Sequence, residues 1–415
     1  MEGNPAMRRL VTLREIDNIT PIANADKLEC LHIGGWTVVE QKGAYYKGQQ
    51  VFFFEEDSLI PLDRGYFAHL ASYGITNWGG KDYFRVKAIK LRGQLSQGMV
   101  FPHSIIEINP KAKIVGDIPI ATDLEGNECS PYLDPDWVVE KEIEIYNKND
   151  GDYSNYFGVI KFDPYRETGR KPLPNFVIKS DQERVQNLGE LMPIIQEENG
   201  FYVATEKIDG TSTTIYSAIT DGKLHQGVCS HGCELEKNEQ DIYWDIASRP
   251  LIEYNGERLS PLDYLKARCF EQQTHKMSKY DTKEPRYVLQ GELFGEKIQK
   301  NSLGIKGRQI LFFDLYENDK RLPLIEIEER FPELMKCWVP IHPHKLETTM
   351  ERIVSQPNGV KTLVKGANPN AQIEGFVWQH TRKPEIQFED KEGHFKILRN
   401  SFKVISSDYL LESGK

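Results

Sequence analysis

Apolar and polar positions alternate in short bursts through the first third of the chain. The stretch "LECLHIGGWTVVEQKGAYYKGQQVFFFEEDSLIPL" consists of β-branched and aromatic runs broken by Gly-Gly and Lys-Gly pairs and closed by a proline. That is the pattern of several short antiparallel strands. "YFRVKAIKLRGQLSQGMVFP" continues it with a strand, a turn around Gly93 to Gly98 and another strand. A small antiparallel barrel over residues 1–115 is therefore expected. The pattern then dissolves. "YNKNDGDYSNYFG" and "FDPYRETGRKPLPNF" are polar and punctuated by Pro and Gly, which predicts an extension or linker over 116–175 with a boundary near Pro172–Pro174. In "SDQERVQNLGELMPIIQEE", Val185, Leu188, Leu191 and Met192 fall at helical spacing behind a capping Ser180 or Asp181, predicting a helix. Strand signals return after Gly200, where Asp221-Gly222 sits between two β-rich runs and predicts a tight hairpin. "YVLQGELFGEKIQ", "ILFFDLY", "IEGFVWQ" and "SFKVISSDYLL" read as further strands of a second domain over 176–415. The fold class expected is α+β.

Composition narrows the picture in a few places. Apolar residues make up 39% of the chain and aromatics 11%, enough for real cores and far from the signature of disorder. Apolar runs such as Val51–Phe54 fall well short of the roughly 20 residues a membrane span needs, and the N-terminus carries no apolar leader. A cytoplasmic monomer with no membrane partner is the expectation. The net charge of −10 argues against coating nucleic acid indiscriminately, although a local basic groove is compatible with it. Arg85, Lys87, Lys90 and Arg92 crowd one short stretch, either as a solvated strand or as a surface facing phosphates. Of the cysteines at 30, 129, 229, 233, 269 and 337, only Cys229 and Cys233 in "CSHGC" are spaced for ligation. A zinc site needs a second pair, so reduced thiols are expected.

Chemistry concentrates in "TEKIDGTSTT" at 205–214. On a strand, Lys207 and Asp209 lie two apart and share a face, and Gly210 permits a close approach of backbone or ligand. Alone, the string reads equally as a surface ion pair or as a nucleophile with its partner. The chain contains no GxxxxGK[ST] loop, HExxH or GxSxG. It does place Glu292, Glu374 and Lys403 within apolar strands, where each charge needs a partner. Glutamates, lysines and Asp209 would balance by converging on one pocket around a metal and phosphates.

Taken in order, "EKIDG", "VCSHG", "GELFGE", "ILFFDLY", "EGFVWQ" and "SFKVIS" resemble motifs I, Ia, III, IIIa, IV and V of the covalent nucleotidyltransferases. These include ATP-dependent DNA and RNA ligases and capping enzymes. The "GELFG" form resembles the RNA ligase branch. "ITPIANADKLE", "WTVVEQKGAYYKGQQVFFFEEDSLIP" and "LRGQLSQGMVFP" resemble the OB domain that precedes the transferase domain in one clade of RNA ligases. The resemblance implies an N-terminal OB-like barrel followed by an ATP-grasp-like ligase domain. Conventional DNA ligases and capping enzymes carry an OB domain after motif V, whereas this sequence ends shortly after Lys403, which favours the RNA ligase branch.

By the same resemblance, Lys207 would take AMP from ATP, pass it to a 5′-phosphate and let a 3′-hydroxyl expel it. The substrate implied is RNA or an RNA-containing nicked duplex. Asp209, Glu292 and Glu374 would hold Mg²⁺ or Mn²⁺ through water. Lys403 would neutralise the α-phosphate, and Phe313 would stack on adenine. Glu206, Ile208, Gly210 and Ser230 would line the nucleotide site. Arg184 is a phosphate contact on this reading. Two positions depart from the pattern. His231 follows Ser230 where arginine is usual, and Ser401 replaces the first lysine of motif V, with Arg399 or Lys396 as substitutes. A DNA nick ligase and an inactive nucleic-acid-binding homologue are the alternatives, with a capping guanylyltransferase behind them.

Overall fold

The run "VFFF" shows how sequence becomes architecture here. A continuous apolar run suits a strand buried on both faces, and strand Gln50–Phe54 is the middle member of an antiparallel sheet between Val11–Glu15 and Met99–Pro102. Phe52 and Phe54 pack on one side with Val11, Phe67, Phe101, Tyr153 and Phe157. Val51 and Phe53 pack on the other with Leu31, Ile33, Trp36 and Val38. The computed structural model describes residues 9–107, 114–115, 118–119, 151–162, 171–238, 240–274, 284–389 and 395–413. Cys129 and most of the connection expected over 116–175 lie outside these. Terminal residues aside, the chain divides into a unit over Ala6–Glu167 and a unit over Thr168–Tyr409.

Among the described residues every strand pair of the first unit is antiparallel. A meander of Asn18–Pro21, Leu28–Ile33 and Trp36–Gln41 turns at Gly34-Gly35, and a second sheet orders Ile160–Lys161, Ser58–Pro61, Lys81–Arg85 and Thr76–Trp78. Among the described residues these ladders stay in separate short sheets and do not close into one continuous barrel. The basic stretch splits by role. Arg85 is held by Asp57 at 2.6 Å and lies 3.9 Å above the Phe162 ring, while Lys87 and Lys90 are exposed.

Among the described residues the second unit holds two large sheets and two separate two-stranded ones, Ile252–Tyr254 with Glu257–Leu259 and Glu385–Glu389 with Phe395–Arg399. A six-stranded antiparallel sheet runs Glu234–Leu235, Lys223–Cys229, Thr211–Thr220, Arg286–Gly295, Arg308–Glu317, Lys320–Arg321. Its hairpin turns at Asp221 and Gly222, both with positive φ, as the Asp-Gly pair predicts. A five-stranded sheet runs Glu183–Arg184, Ser401–Ile405, Gly375–His380, Tyr202–Lys207, Ile341–His342. The helix expected after Ser180 is mostly absent. Glu183 and Arg184 pair in parallel with Phe402 and Lys403, two short 3₁₀ turns follow, and only Met192–Glu197 is α-helical. Strand pairing at one end, together with Gly189 and Pro193, overrides the helical spacing. Val185, Leu191 and Met192 nevertheless reach the core under the five-stranded sheet. Among the described residues no helix is long and apolar enough to cross a membrane.

Candidate active site

Alternation along strand Tyr202–Lys207 decides which side chains can act together. Ala204 and Glu206 face the core with their cross-strand partners Trp378 and Phe376. Thr205 and Lys207 face the other way, opposite Val377 and Gly375. Lys403 pairs with Val377 and Arg184 pairs with Lys403, which puts Arg184, Lys403 and Lys207 on one face of the sheet. At Ile208, itself buried, the chain leaves this sheet, and it enters the six-stranded sheet at Thr211. Lys207 thus sits at the passage between two sheets.

Two glycines allow the strands to close around it. A Cβ on Gly210 would lie 2.4 Å from the Leu293 carbonyl oxygen, and one on Gly375 would lie 2.1 Å from that of Val404. No side chain fits either gap. The result brings Glu292, the neighbour of Leu293, and Glu374, the neighbour of Gly375, to the lysine. Nζ of Lys207 lies 2.9 Å from Oε2 of Glu374, with the lysine side chain 27% exposed and so within reach of a ligand. Burial pushes the pKa of this amine down. Glu374 first, then Glu292 and Asp209, outweigh burial and hold it above the ordinary lysine value. In this state Lys207 is an ammonium and cannot attack anything.

Hard oxygen donors gathered around a cation fit a divalent metal. Among the described residues no three His, Cys, Asp or Glu side chains are clustered to ligate an ion directly. A hydrated ion held through its waters suits Asp209, Glu292 and Glu374 better than a bare one.

Two family models match this chain, an OB-fold domain over residues 10–103 and an RNA ligase over residues 200–405. The second takes in Lys207, Asp209, Glu292, Phe313, Glu374 and Lys403. The chain belongs to the RNA ligase family. Solved structures agree. The Naegleria gruberi RNA ligase with PPi is 28% identical at a TM-score of 0.64, over 98% of this chain and 99% of that one. A mutant of that enzyme with AMP and Mn is 28% identical at 0.65, over 98% of each chain. Another, with ATP and Mn, is 28% identical at 0.64, over 99% of each. No curated protein sequence matches the chain.

The remaining sequence-derived residues of the ligase divide by position. Phe313 is the extra residue of a β-bulge, since Gln290 pairs with Asp314 and Gly291 with Phe312. A bulge re-aims the side chain it carries. The Glu206 carboxylate does not turn towards Lys207. It accepts hydrogen bonds from His342 Nε2 at 3.0 Å, Thr362 Oγ1 at 2.5 Å and the Leu363 amide at 2.9 Å, all on the core face. Ser230 is buried, its amide and hydroxyl both bonded to the Cys233 carbonyl, and His231 lies 3.7 Å from Asp181. Cys229 is buried as well, which pushes its thiol up to about 12. Arg399 and Arg321 both bind buried Asp314. Burial would raise the pKa of Asp314, but the two guanidiniums outweigh it and hold the carboxyl below its usual range. Arg399 also donates to Ser401, so the serine that replaces a motif V lysine belongs to the same network.

Sequence reasoning missed the two hydroxyls that hold Asp209. Ser302 Oγ donates to its Oδ2 at 3.2 Å, and buried Tyr409 donates from its phenol. Burial first, then Glu374 and Asp209, push the Tyr409 pKa up, so it remains a donor. Tyr409→Phe is expected to slow the adenylylation step about 10-fold, the worth of one hydrogen bond to a charged group. The unfolding temperature should fall by only a few degrees, about 2–4 °C per kcal/mol lost. Single-turnover rates beside a melting curve check both.

Proposed function

We propose that this RNA ligase is ATP-dependent and joins 3′-hydroxyl and 5′-phosphate RNA ends through a covalent lysyl-AMP on Lys207. The observation that carries the reading is the Lys207 amine, partly exposed and held by Glu374, Glu292 and Asp209 on the face that also bears Lys403. The ATP, AMP, PPi and Mn bound in the Naegleria gruberi structures are the substrate, the transferred group, the leaving group and a divalent metal of such a reaction. A divalent ion, Mg²⁺ or Mn²⁺, would supply positive charge that competes with the ammonium for the carboxylates and offsets phosphate charge.

The residues then take these parts. Glu374, Glu292 and Asp209 would hold such an ion through its waters, and with their charge so engaged the Lys207 ammonium would give its proton to solvent water. The free amine attacks the α-phosphorus of ATP, forming an N–P bond as the bond to pyrophosphate breaks. Lys403, on the same face, stabilises charge building on the α-phosphate. Phe313 offers a ring to adenine. A 5′-phosphate oxygen next displaces Lys207 from the α-phosphorus, and a 3′-hydroxyl finally attacks the activated 5′ end and expels AMP. Ser230, His231, Arg184 and the backbone of Ile208 and Gly210 complete the nucleotide and phosphate surroundings.

The test is incubation with α-labelled ATP or GTP plus Mn²⁺ or Mg²⁺, a denaturing gel, and then addition of 5′-phosphorylated RNA or of nicked duplexes with an RNA or DNA 3′-terminus. Label from ATP and joining that needs RNA at the 3′-hydroxyl are expected. Label from GTP alone would point to capping chemistry, equal sealing of all-DNA nicks to a DNA ligase, and no label to a binding protein.

A further inference from the structure

Between the strands that carry Glu292 and Phe313, the chain makes a compact excursion, 296–307, "EKIQKNSLGIKG". Its ends are pinched together. The Glu296 amide donates to the Gly307 carbonyl at 2.7 Å, and a Cβ on Gly295 would lie 2.3 Å from that same oxygen. Ile298, Leu303 and Ile305 anchor it in the core at 5%, 4% and 1% exposure, while Lys297, Lys300 and Lys306 are all on its exposed surface. Apolar positions point in and every lysine points out. One glutamate accompanies three lysines, in a chain whose net charge is −10.

The loop is held stiffly. Lys297, Gln299 and Asn301 all have left-handed backbones, with φ of 64°, 46° and 44°. Such conformations are strained and persist where the surroundings over-determine them, often at ligand clamps. Here the Asn301 side chain grips both the amide and the carbonyl of Ile305, each at 3.0 Å. The loop also grips the nucleophile's own string. Gln299 Nε2 donates to the Gly210 carbonyl at 3.2 Å, and Ser302 Oγ donates to Asp209 at 3.2 Å. The lysines are thereby fixed in the loop that contacts Asp209 and Gly210, directly after Lys207.

We propose that this loop is the platform for the RNA strand whose 5′-phosphate receives AMP, with Lys297, Lys300 and Lys306 contacting its backbone phosphates. The proposal rests on the ligase reading. A strand delivering its 5′ end to an α-phosphorus on Lys207 would come close to Asp209 and Gly210, and this loop is bonded to both. Lysine stems give charge without base readout, so the contact is sequence-independent and sensitive to salt.

The experiment compares wild type with the triple variant Lys297→Gln, Lys300→Gln, Lys306→Gln, which alters exposed positions only. Direct binding of fluorescent 5′-phosphorylated RNA is measured across salt concentrations, together with the rate and ATP dependence of lysyl-AMP formation. The variant should bind RNA more weakly, with a salt slope shallower by about 2, three phosphate contacts at roughly 0.7 each for a single strand. Its lysyl-AMP formation should match wild type. Unchanged RNA affinity and slope would overturn the proposal. So would a raised ATP requirement with normal RNA binding, which would assign the loop to the nucleotide's phosphates. Absence of lysyl-AMP in wild type would instead refute the ligase reading, and the RNA-binding arm would still decide the loop's role by itself.

Discussion

Lys207→Ala is expected to abolish transfer of AMP from ATP to the protein while leaving the sealing of chemically pre-adenylylated RNA in place. The first step has no other nucleophile. Lys403 shares the face but is fixed two strands away through its pairing with Val377. Loss of a nucleophile acting as part of a unit costs about 10⁶-fold, which a gel reads as no band. Lys207→Arg should be equally inert, because a guanidinium keeps its proton. In the proposed mechanism the last step attacks an end that already carries AMP, so it is expected to need Asp209, Glu292, Glu374 and Lys403 but not the Lys207 amine. Loss of sealing as well would mean that Lys207 holds the site together instead of attacking. The pairing also leaves a signature in stability. The folded-state pKa of Lys207 is raised, so its contribution is complete below the ordinary lysine pKa and is lost as pH climbs through the raised value. The stability difference between wild type and Lys207→Ala should therefore stay level through neutral and mildly alkaline pH and change only beyond that. Thermal unfolding of both proteins over that range measures it.

What could be read from the sequence was whatever local chemistry dictates. Asp221-Gly222 prescribes its turn, and "VFFF" requires two apolar neighbourhoods, which the first unit supplies. The meeting of Lys207 with Glu292 and Glu374 was inferable because isolated charges in apolar strands demand partners. The direction of Glu206 follows from the period of a strand, which turns neighbours to opposite faces, and adjacency to Lys207 was the weaker guide. The helix after Ser180 failed because strand pairing with Phe402 and Lys403, far along the chain, outweighs helical spacing at Glu183 and Arg184. Ser302 and Tyr409 gave no local sign at all. A hydroxyl in a loop and one in the helix Ser407–Ser413 gain meaning only when folding brings both to Asp209.

Glu374→Gln should separate the two things the carboxylates do. Glu374 is the strongest of the charges raising the Lys207 pKa, both by its field and by its direct bond. Its removal lets burial count for more, so the amine loses its proton at lower pH and the pH–rate profile of lysyl-AMP formation shifts downward. At the same time one of three carboxylates placed for a hydrated divalent ion is gone. The maximal rate should then fall by about 10²-fold, the size of effect seen when one electrostatic partner is removed from a preorganised site. Half-saturation should need more Mn²⁺ or Mg²⁺. A slower enzyme with an earlier pH profile and a higher metal requirement is thus expected, measured as single-turnover rates over pH and metal concentration. A lower rate with an unmoved profile would show that Glu374 does not set the protonation of Lys207. An earlier profile with an unchanged metal requirement would take Glu374 out of the metal site and leave Asp209 and Glu292 to hold it.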